Sequence, residues 1–376
     1  MSKRICYITT VPGSVGFFTK EFQYLEKHGF DITVICSHSD TLQAKLGDSI
    51  HFIPVEIPRG VSCTRSIVAT LKLVKIFYKE RFDLIQYSTP NAAFCASIAA
   101  KIIGCKKRNY HLMGLRYLGA SGISRIILKA IEKITCLNST SIECVSKSNM
   151  ELGIKEGLFP PEKVTVVWNG STGGVDLSRF NHTKRDLWRK EVREKLGYKK
   201  NDFVYGFVGR ITRDKGINEL VQGFLSLKDD SKLLMIGRIE DENLLDESLM
   251  KKAREHPNVC FYGVVTDVER YYAAIDVLIL PSYREGFGNV VIEAGAVGTP
   301  AIVSDIPGPT DAIDQGKTAL VVPVKDVEKL SNAMKHIRIM DCFAMGQNAA
   351  RFAKERFDSD MLCEKILERK RFLLGK

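Results

Sequence analysis

Short β-rich runs alternate with amphipathic helical stretches along the whole chain, and that alternation restricts the fold to parallel sheets flanked by helices. In the front half the runs fall at residues 4–10, 31–37, 50–56, 83–88, 108–113, 141–146 and 164–170. In the back half they fall at 203–209, 232–237, 259–263, 277–282, 300–305 and 319–323. Between the two series, residues 171–202 pass from glycines into a charged helical stretch, which predicts a domain junction. The reading is an α/β chain of two Rossmann-like, doubly wound domains, 1–183 and 184–357, with a C-terminal helix at 358–376 crossing back to the first. A length of 376 residues agrees, being too long for one comfortable core.

Ligands of doubly wound sheets bind beyond the carboxyl ends of the strands, so the chemistry is expected in a cleft between the two domains. GRITRDKG (209–216) follows one strand directly and leads into a helix. Arg210 at the strand end and Lys215 before the helix bring two cations and helix N–H groups to one spot, an anion site suited to a diphosphate. One βα unit further on, PSYREGFGNVVIEA (281–294) has the same design: a strand, a loop holding Gly286 and Gly288, and a helix starting at Asn289 or its neighbour. Glu285 precedes that helix and Glu293 lies about one turn inside it. The two carboxylates therefore share no helical face and are expected at different parts of an extended ligand rather than as an acid/base pair.

These motifs resemble those of GT-B-fold glycosyltransferases of family 4, whose signature is E-x7-E with an upstream GR…KG pair. The similarity extends to VVWNGSTGGVDLSRF (166–180) and FYGVVTDVERYYAAIDVLILPS (261–282). The resemblance implies that Arg210 and Lys215 hold and stabilise the donor diphosphate. It implies that Glu285, with the Gly286, Phe287 and Gly288 backbone and neighbouring Asn289 and Val290, holds the transferred sugar. Glu293 would take the ribose hydroxyls, and backbone at Val264 and Val265 the base. In the front half, TTVPGSVGFF matches the family's first loop, with Gly13 and Ser14 on the donor side, and His111 falls where family members keep a histidine near the donor sugar. A structural role for His111 stays open, and Arg116 has two readings, an acceptor phosphate or the membrane side. The dinucleotide fingerprint GxGxxG is absent, only Gly13 and Gly16 being present there, which argues against a nicotinamide dehydrogenase.

No metal or other cofactor is expected. The ten cysteines form no CxxC pair or Cys/His cluster and fit a reducing cytosol. The one DxD, Asp358-Ser-Asp360, precedes a helix and reads as a cap. Residues 1–13 read as a first strand rather than an export signal, and the longest apolar stretch, 91–104, is broken by Lys101 and too short to span a membrane.

Charge is uneven. Residues 1–180 hold 23 Lys+Arg against 14 Asp+Glu, whereas 181–376 hold 32 against 30. In the front half, residues 121–137 place Arg125, Lys129 and Lys133 four apart, with isoleucines on the other faces, and 64–82 repeat the style with Lys72, Lys75 and Lys79. Each reads as a core-packed helix with a solvated basic face. Together they predict contact of the first domain with an anionic membrane surface. No aromatic-interleaved basic strand or zinc-finger pattern supports nucleic acid as partner.

The expected function is retaining transfer of a hexose or N-acetylhexosamine from a nucleotide-diphosphate sugar, UDP-linked by preference, to a lipid-diphosphate-linked saccharide. Its setting would be bacterial capsule, O-antigen or exopolysaccharide synthesis at the inner face of the cell membrane. Two rivals remain: a nucleotide-sugar isomerase or hydrolase of the 2-epimerase kind, revealed by sugar turnover without acceptor, and a silent assembly scaffold, revealed by failure to bind any sugar nucleotide.

Overall fold

The computed structural model describes residues 2–47, 49–60 and 62–375. They form two compact units, Met1–Gly173 with Ser359–Lys376, and Gly174–Asp358. The division falls before the expected residue 183 because the crossover is already tied to the second unit: Val175 N–H donates to the Phe357 carbonyl at 2.7 Å, and Phe180 packs on Tyr272 at 6.2 Å between ring centroids. The helix Ser359–Leu374 packs in the first unit against the helix Thr19–Lys27. Ser359 and Asp360 of the DxD both hold Lys20 Nζ, at 2.6 and 2.8 Å.

In the first unit the strands are β1 (Lys3–Ile8), β2 (Phe30–Cys36), β3 (His51–Pro54), β4 (Leu84–Ser88), β5 (Arg108–Leu112), β6 (Ser141–Cys144) and β7 (Val164–Val166). All pair in parallel in the order β3-β2-β1-β4-β5-β6-β7. Alternation along β1 shows why both faces are covered. Ile5 and Tyr7 enter one core with Phe18 and Phe22, and Cys6 and Ile8 enter another with Ile85 and Tyr87, the period of two being that of a strand buried on both sides.

The second unit contains β8 (Val204–Val208), β9 (Lys232–Ile236), β10 (Val259–Gly263), β11 (Val277–Leu280), β12 (Ala301–Ser304) and β13 (Ala319–Val322), in the parallel order β10-β9-β8-β11-β12-β13. Every strand expected from the sequence is present, all but β10 trimmed by a residue or more at an end. In each sheet the strand order reverses once, between β1 and β4 and between β8 and β11. Loops after strands flanking a reversal diverge and leave room for a ligand. In the second unit those loops are GRITRDKG and PSYREGFG.

One expectation holds only in part in the first unit. The basic residues of the helix Gly122–Asn138 are half-exposed and engaged by the protein rather than freely solvated. Lys129 Nζ pairs with Glu156 at 2.7 Å, Arg125 reaches the same carboxylate at 3.8 Å, and Lys133 bonds the Gly157 carbonyl. Both Arg125 and Lys129 also lie over the Tyr117 ring. Ile123, Ile126, Ile127, Ile134 and Leu137 are exposed instead. The reason is that Glu132, Thr135 and Cys136 face the sheet, and the basic row flanks them, within reach of Glu156. On the helix Cys63–Glu80, Ala69, Leu73 and Phe77 are buried, while Lys72, Lys75 and Lys79 stay exposed beside exposed Ile67, Val68 and Leu71.

Candidate functional site

At the β8/β11 reversal the two motif loops are fastened backbone to backbone. Gly216 sits at φ +70°, and a Cβ there would stand 2.1 Å from the Pro281 carbonyl oxygen, so only glycine admits this approach. Tyr283 N–H donates to the Asp214 carbonyl at 2.8 Å, and Arg284 Nη2 to the Asp214 carboxylate at 2.8 Å. On the far side of the loop a Cβ on Gly237, at φ +142°, would lie 1.7 Å from the Gly209 carbonyl oxygen.

These approaches set the side chains. Lys215 Nζ bonds Glu285 Oε1 at 2.5 Å, and Ser282 Oγ bonds the same oxygen at 2.7 Å. Both partners of the pair are largely shielded, their side chains 18% and 14% exposed. Arg210 Nη1 meets Glu240 Oε2 at 3.0 Å, with 54% of the Arg210 side chain exposed. Asp214 ties the cations together. Burial pushes its carboxyl up, but the Thr212 hydroxyl at 2.6 Å and the charges of Arg284, Lys215 and Arg210 hold it below the usual aspartate range. Arg210 and Lys215 thus belong to one loop cluster, each with its own carboxylate. An exposed pair such as Arg210–Glu240 is worth little, about 0–1 kcal/mol, so little holds Arg210 to its carboxylate.

The helix Asn289–Ala296 starts as expected, with Gly288 at its N-cap at φ +94° and no side-chain cap, so its positive end faces the Glu285 loop. Phe287 turns inward, packing edge-on against Phe357 at 5.2 Å, so only its backbone can meet a ligand. Val290 and Asn289 are half-buried in the first turn.

Glu293 stands apart from Glu285 and has other partners. Its Oε2 accepts from Tyr272 OH at 2.9 Å. Burial raises the Glu293 pKa, opposed by that hydrogen bond and by the charge of Arg179. Arg179 also donates to Glu269 at 2.9 Å and to the Thr266 carbonyl at 2.7 Å, which fixes the loop after β10 where Val265 is half-buried and Val264 exposed. Arg179 therefore ties the DLSRF crossover to the loop after β10, with its charge also acting on Glu293. Sequence reasoning gave Arg179, Tyr272 and Glu240 no role, although Arg179 lies in the DLSRF crossover that carries part of the resemblance.

In the first unit Gly13 and Ser14 lie in the one-turn helix Pro12–Val15 after β1. A Cβ on Gly13 would meet nothing within 4 Å, so the fold of this unit does not itself demand glycine there. His111 lies within β5 and is 8% exposed. Its Nδ1 is 3.9 Å from Glu143 Oε2, too long for a hydrogen bond, and neither ring nitrogen has a partner among the described residues. Phe18 packs edge-on at 5.3 Å.

Behind His111 lies a buried network invisible to motif reading. Lys370 Nζ, from the C-terminal helix, bonds Glu143 at 3.0 Å and Gln86 at 2.6 Å. Arg369 adds a 3.2 Å contact to Glu143. Burial alone would raise the Glu143 pKa, but the Lys370 charge holds it well below the carboxylate range.

Both units also match family models. Residues 20–178 match Glycosyltransferase Family 4, and residues 189–355 match Glycosyl transferases group 1. The capsular polysaccharide biosynthesis glycosyltransferase CapM of Staphylococcus aureus is 30% identical over 371 residues, covering 97% of this chain and 96% of CapM. The chain belongs to glycosyltransferase family 4. A second relative of this glycosyltransferase is the UDP-Gal:alpha-D-GlcNAc-diphosphoundecaprenol alpha-1,3-galactosyltransferase of Escherichia coli, 27% identical over 86% of this chain and 83% of the relative. Among solved structures, sucrose-phosphate synthase from Thermosynechococcus elongatus superposes with a TM-score of 0.82 over 99% of both chains at 20% identity, which establishes the GT-B fold. The loop cluster around Lys215 and Glu285 is thus part of a glycosyltransferase. Among the described residues, no helix of the enzyme is long and apolar enough to cross a membrane.

Proposed function

We propose that this glycosyltransferase moves a hexose or N-acetylhexosamine from a UDP-sugar, with retention of configuration, to a lipid-diphosphate-linked saccharide in the synthesis of a bacterial surface polysaccharide. The observation that carries the donor side is the Lys215–Glu285 pair at the β8/β11 reversal, beside Arg210 and the Gly288-led start of the helix Asn289–Ala296. Cation and sugar-binding carboxylate in contact fit a ligand whose diphosphate and sugar are adjacent. The acceptor side is supported by the lipid-diphosphate named for the E. coli relative and the capsule role named for CapM.

In this reading the bond between the sugar's anomeric carbon and the β-phosphate oxygen breaks, and the acceptor oxygen forms the new bond on the same face. The acceptor proton passes to the departing phosphate. Arg210, Lys215 and the helix N-terminus stabilise the charge that develops on the diphosphate, which is where the protein can lower the barrier most. Glu285 and the Gly286–Gly288 backbone hold the sugar, and Glu293 accepts from the ribose hydroxyls. Val264 and Val265 meet the base through their backbone, and His111 serves the sugar from the first unit, whose Gly13–Ser14 turn belongs to the donor loops. Fixed cations neutralise the leaving group without metal, so excess chelator should leave turnover unchanged.

The test is a thermal-shift panel of UDP- and GDP-sugars, followed by product analysis with the best donor and a polyprenyl-diphosphate-linked monosaccharide, the anomer being read by NMR. Transfer with retained configuration supports the proposal. Release of free sugar without acceptor supports a hydrolase instead, and an inverted product removes the retaining mechanism.

A further inference from the structure

The outward turn of the helix Gly122–Asn138 leaves more than a scatter of exposed isoleucines. Between it and the helix Cys63–Glu80, above the helix Pro90–Ile102, runs a groove of about 470 Å³ whose walls include Ile67, Leu71, Phe94, Ile98, Ile127 and Ile131. This is the size of a small-molecule pocket, and its lining is overwhelmingly apolar. At one end it shares Gly60 and Ser62 with a second hollow of about 570 Å³, lined by Arg59, Arg65, Ser37 and Val11 among others. Val11 directly precedes the turn that carries Gly13 and Ser14.

The second hollow is cationic. Arg59 and Arg65 are exposed, and no described carboxylate lies within 4.0 Å of either guanidinium. Glu56 also lines the hollow, accepting from the backbone N–H of His38 at 3.2 Å, so the balance is two guanidinium groups against one carboxylate. A third guanidinium stands at the junction: Arg116 Nη1 bonds Asn91 Oδ1 at 3.2 Å, and Asn91 belongs to the apolar groove. A concave apolar trough continuous with the Arg59 and Arg65 guanidinium groups is complementary to one kind of molecule, an amphiphile with a long hydrocarbon chain and a compact anionic head. A second copy of the chain would need a self-complementary face of roughly 800 Å² per partner, not a trough ending in a charged hollow.

We propose that the groove between the helices Cys63–Glu80, Pro90–Ile102 and Gly122–Asn138 seats the first isoprenoid units of the acceptor's polyprenyl chain, with the acceptor diphosphate in the Arg59–Arg65 hollow. This rests on the lipid-diphosphate reading above and adds the site that would hold the lipid. It also changes the expected role of the front-half helices. The chain is held by isoleucines, and the charge that matters is at Arg59 and Arg65 rather than at Lys129 and Lys133, which are already engaged.

Isothermal calorimetry with farnesyl diphosphate and inorganic pyrophosphate tests it on the full chain. Wild-type protein should bind farnesyl diphosphate about tenfold or more tightly than pyrophosphate, the difference being the burial of the chain. Ile67→Gln with Leu71→Gln should abolish that advantage while leaving pyrophosphate affinity unchanged. Both positions are about 60% exposed, so the double variant should fold, as circular dichroism will check. Arg59→Gln with Arg65→Gln should weaken both ligands. Equal affinity of the wild-type protein for the two ligands would overturn the proposal. So would a wild-type dimer that the Ile67/Leu71 variant dissociates in sedimentation. The same holds if that variant loses binding to phosphatidylglycerol vesicles without any change for farnesyl diphosphate. Wild-type protein that binds a UDP-sugar but not farnesyl diphosphate removes the groove alone; protein that binds neither removes the UDP-sugar and lipid-diphosphate reading beneath it as well.

Discussion

At the reversal of the second sheet the charged side chains stand on the loops, with Lys215 against Glu285 and Arg210 half-exposed on Glu240. At the reversal of the first sheet the loops are joined by two threonines. Thr89, at φ +63°, takes the Thr10 N–H at 3.0 Å and shares a hydrogen bond with the Thr10 hydroxyl at 2.8 Å. The first unit's charges lie deeper, Lys370 and Glu143 being 1% and 3% exposed in their side chains. The same architecture thus carries two kinds of polar network. One stands on the loops after the strands, with Arg210 open to solvent. The other is buried, and its ionic groups pair with each other.

The outer surfaces differ in the same spirit. The second unit exposes single large apolar residues such as Leu187, Ile339 and Phe343, whereas the first groups Ile67, Val68 and Leu71 on one helix with Ile123, Ile126 and Ile127 on another. Grouped exposure is what marks a surface for a partner.

The sharpest way to break this comparison is Lys370→Met. It leaves Glu143 buried with only Arg369 and His111 beside it, and unfolding in urea should show a loss of about 3–5 kcal/mol. A loss below about 1 kcal/mol would mean that the network is open to solvent after all. Lys215→Ala acts on the loop network instead. It should lower turnover about 10²- to 10³-fold with little loss of stability, as judged from initial rates and a melting curve.

Glu293→Gln is expected to weaken nucleotide binding about tenfold, the order of a hydrogen bond to a charged group. Because burial raises the Glu293 pKa, its ionised form is lost as pH falls through a value above the ordinary 4.5. Wild-type affinity should therefore drop on acidification earlier than for an ordinary carboxylate, while the variant stays flat across the same titration. An effect on stability rather than on activity belongs to Glu132, whose buried carboxylate accepts from Tyr110 OH at 2.7 Å. Burial raises its pKa to about 7 against the opposing hydrogen bond. With the folded-state pKa above the unfolded one, stability is fullest below pH 4.5 and declines as pH rises towards 7. Glu132→Gln should flatten that slope in denaturation midpoints measured across the interval.

Much of the fold was legible because parallel strands buried on both faces read as dense apolar runs, and glycine-marked loops punctuate them. GRITRDKG and PSYREGFG were legible as strand-loop-helix units for the same reason. Their contact was not, since it depends on β8 and β11 being neighbours although β9 and β10 separate them in the chain. The orientation of the helix Gly122–Asn138 was only partly legible because its pattern offers two faces of comparable character. Glu156, Gly157 and Tyr117, from other elements, hold the cations.

By itself the sequence determined the two parallel-sheet domains, the family, and the two motif loops, because periodicity and short motifs are local properties. Tertiary structure alone decided that Lys215 touches Glu285, that Arg179 meets Glu269 beside the loop after β10, and that Lys370 reaches Glu143 across 227 positions. Each is a charge pairing made where the sheet order or a returning helix brings distant segments together. The partner of a cation is set by which carboxylate lies within reach once water is excluded, and sequence spacing does not encode that.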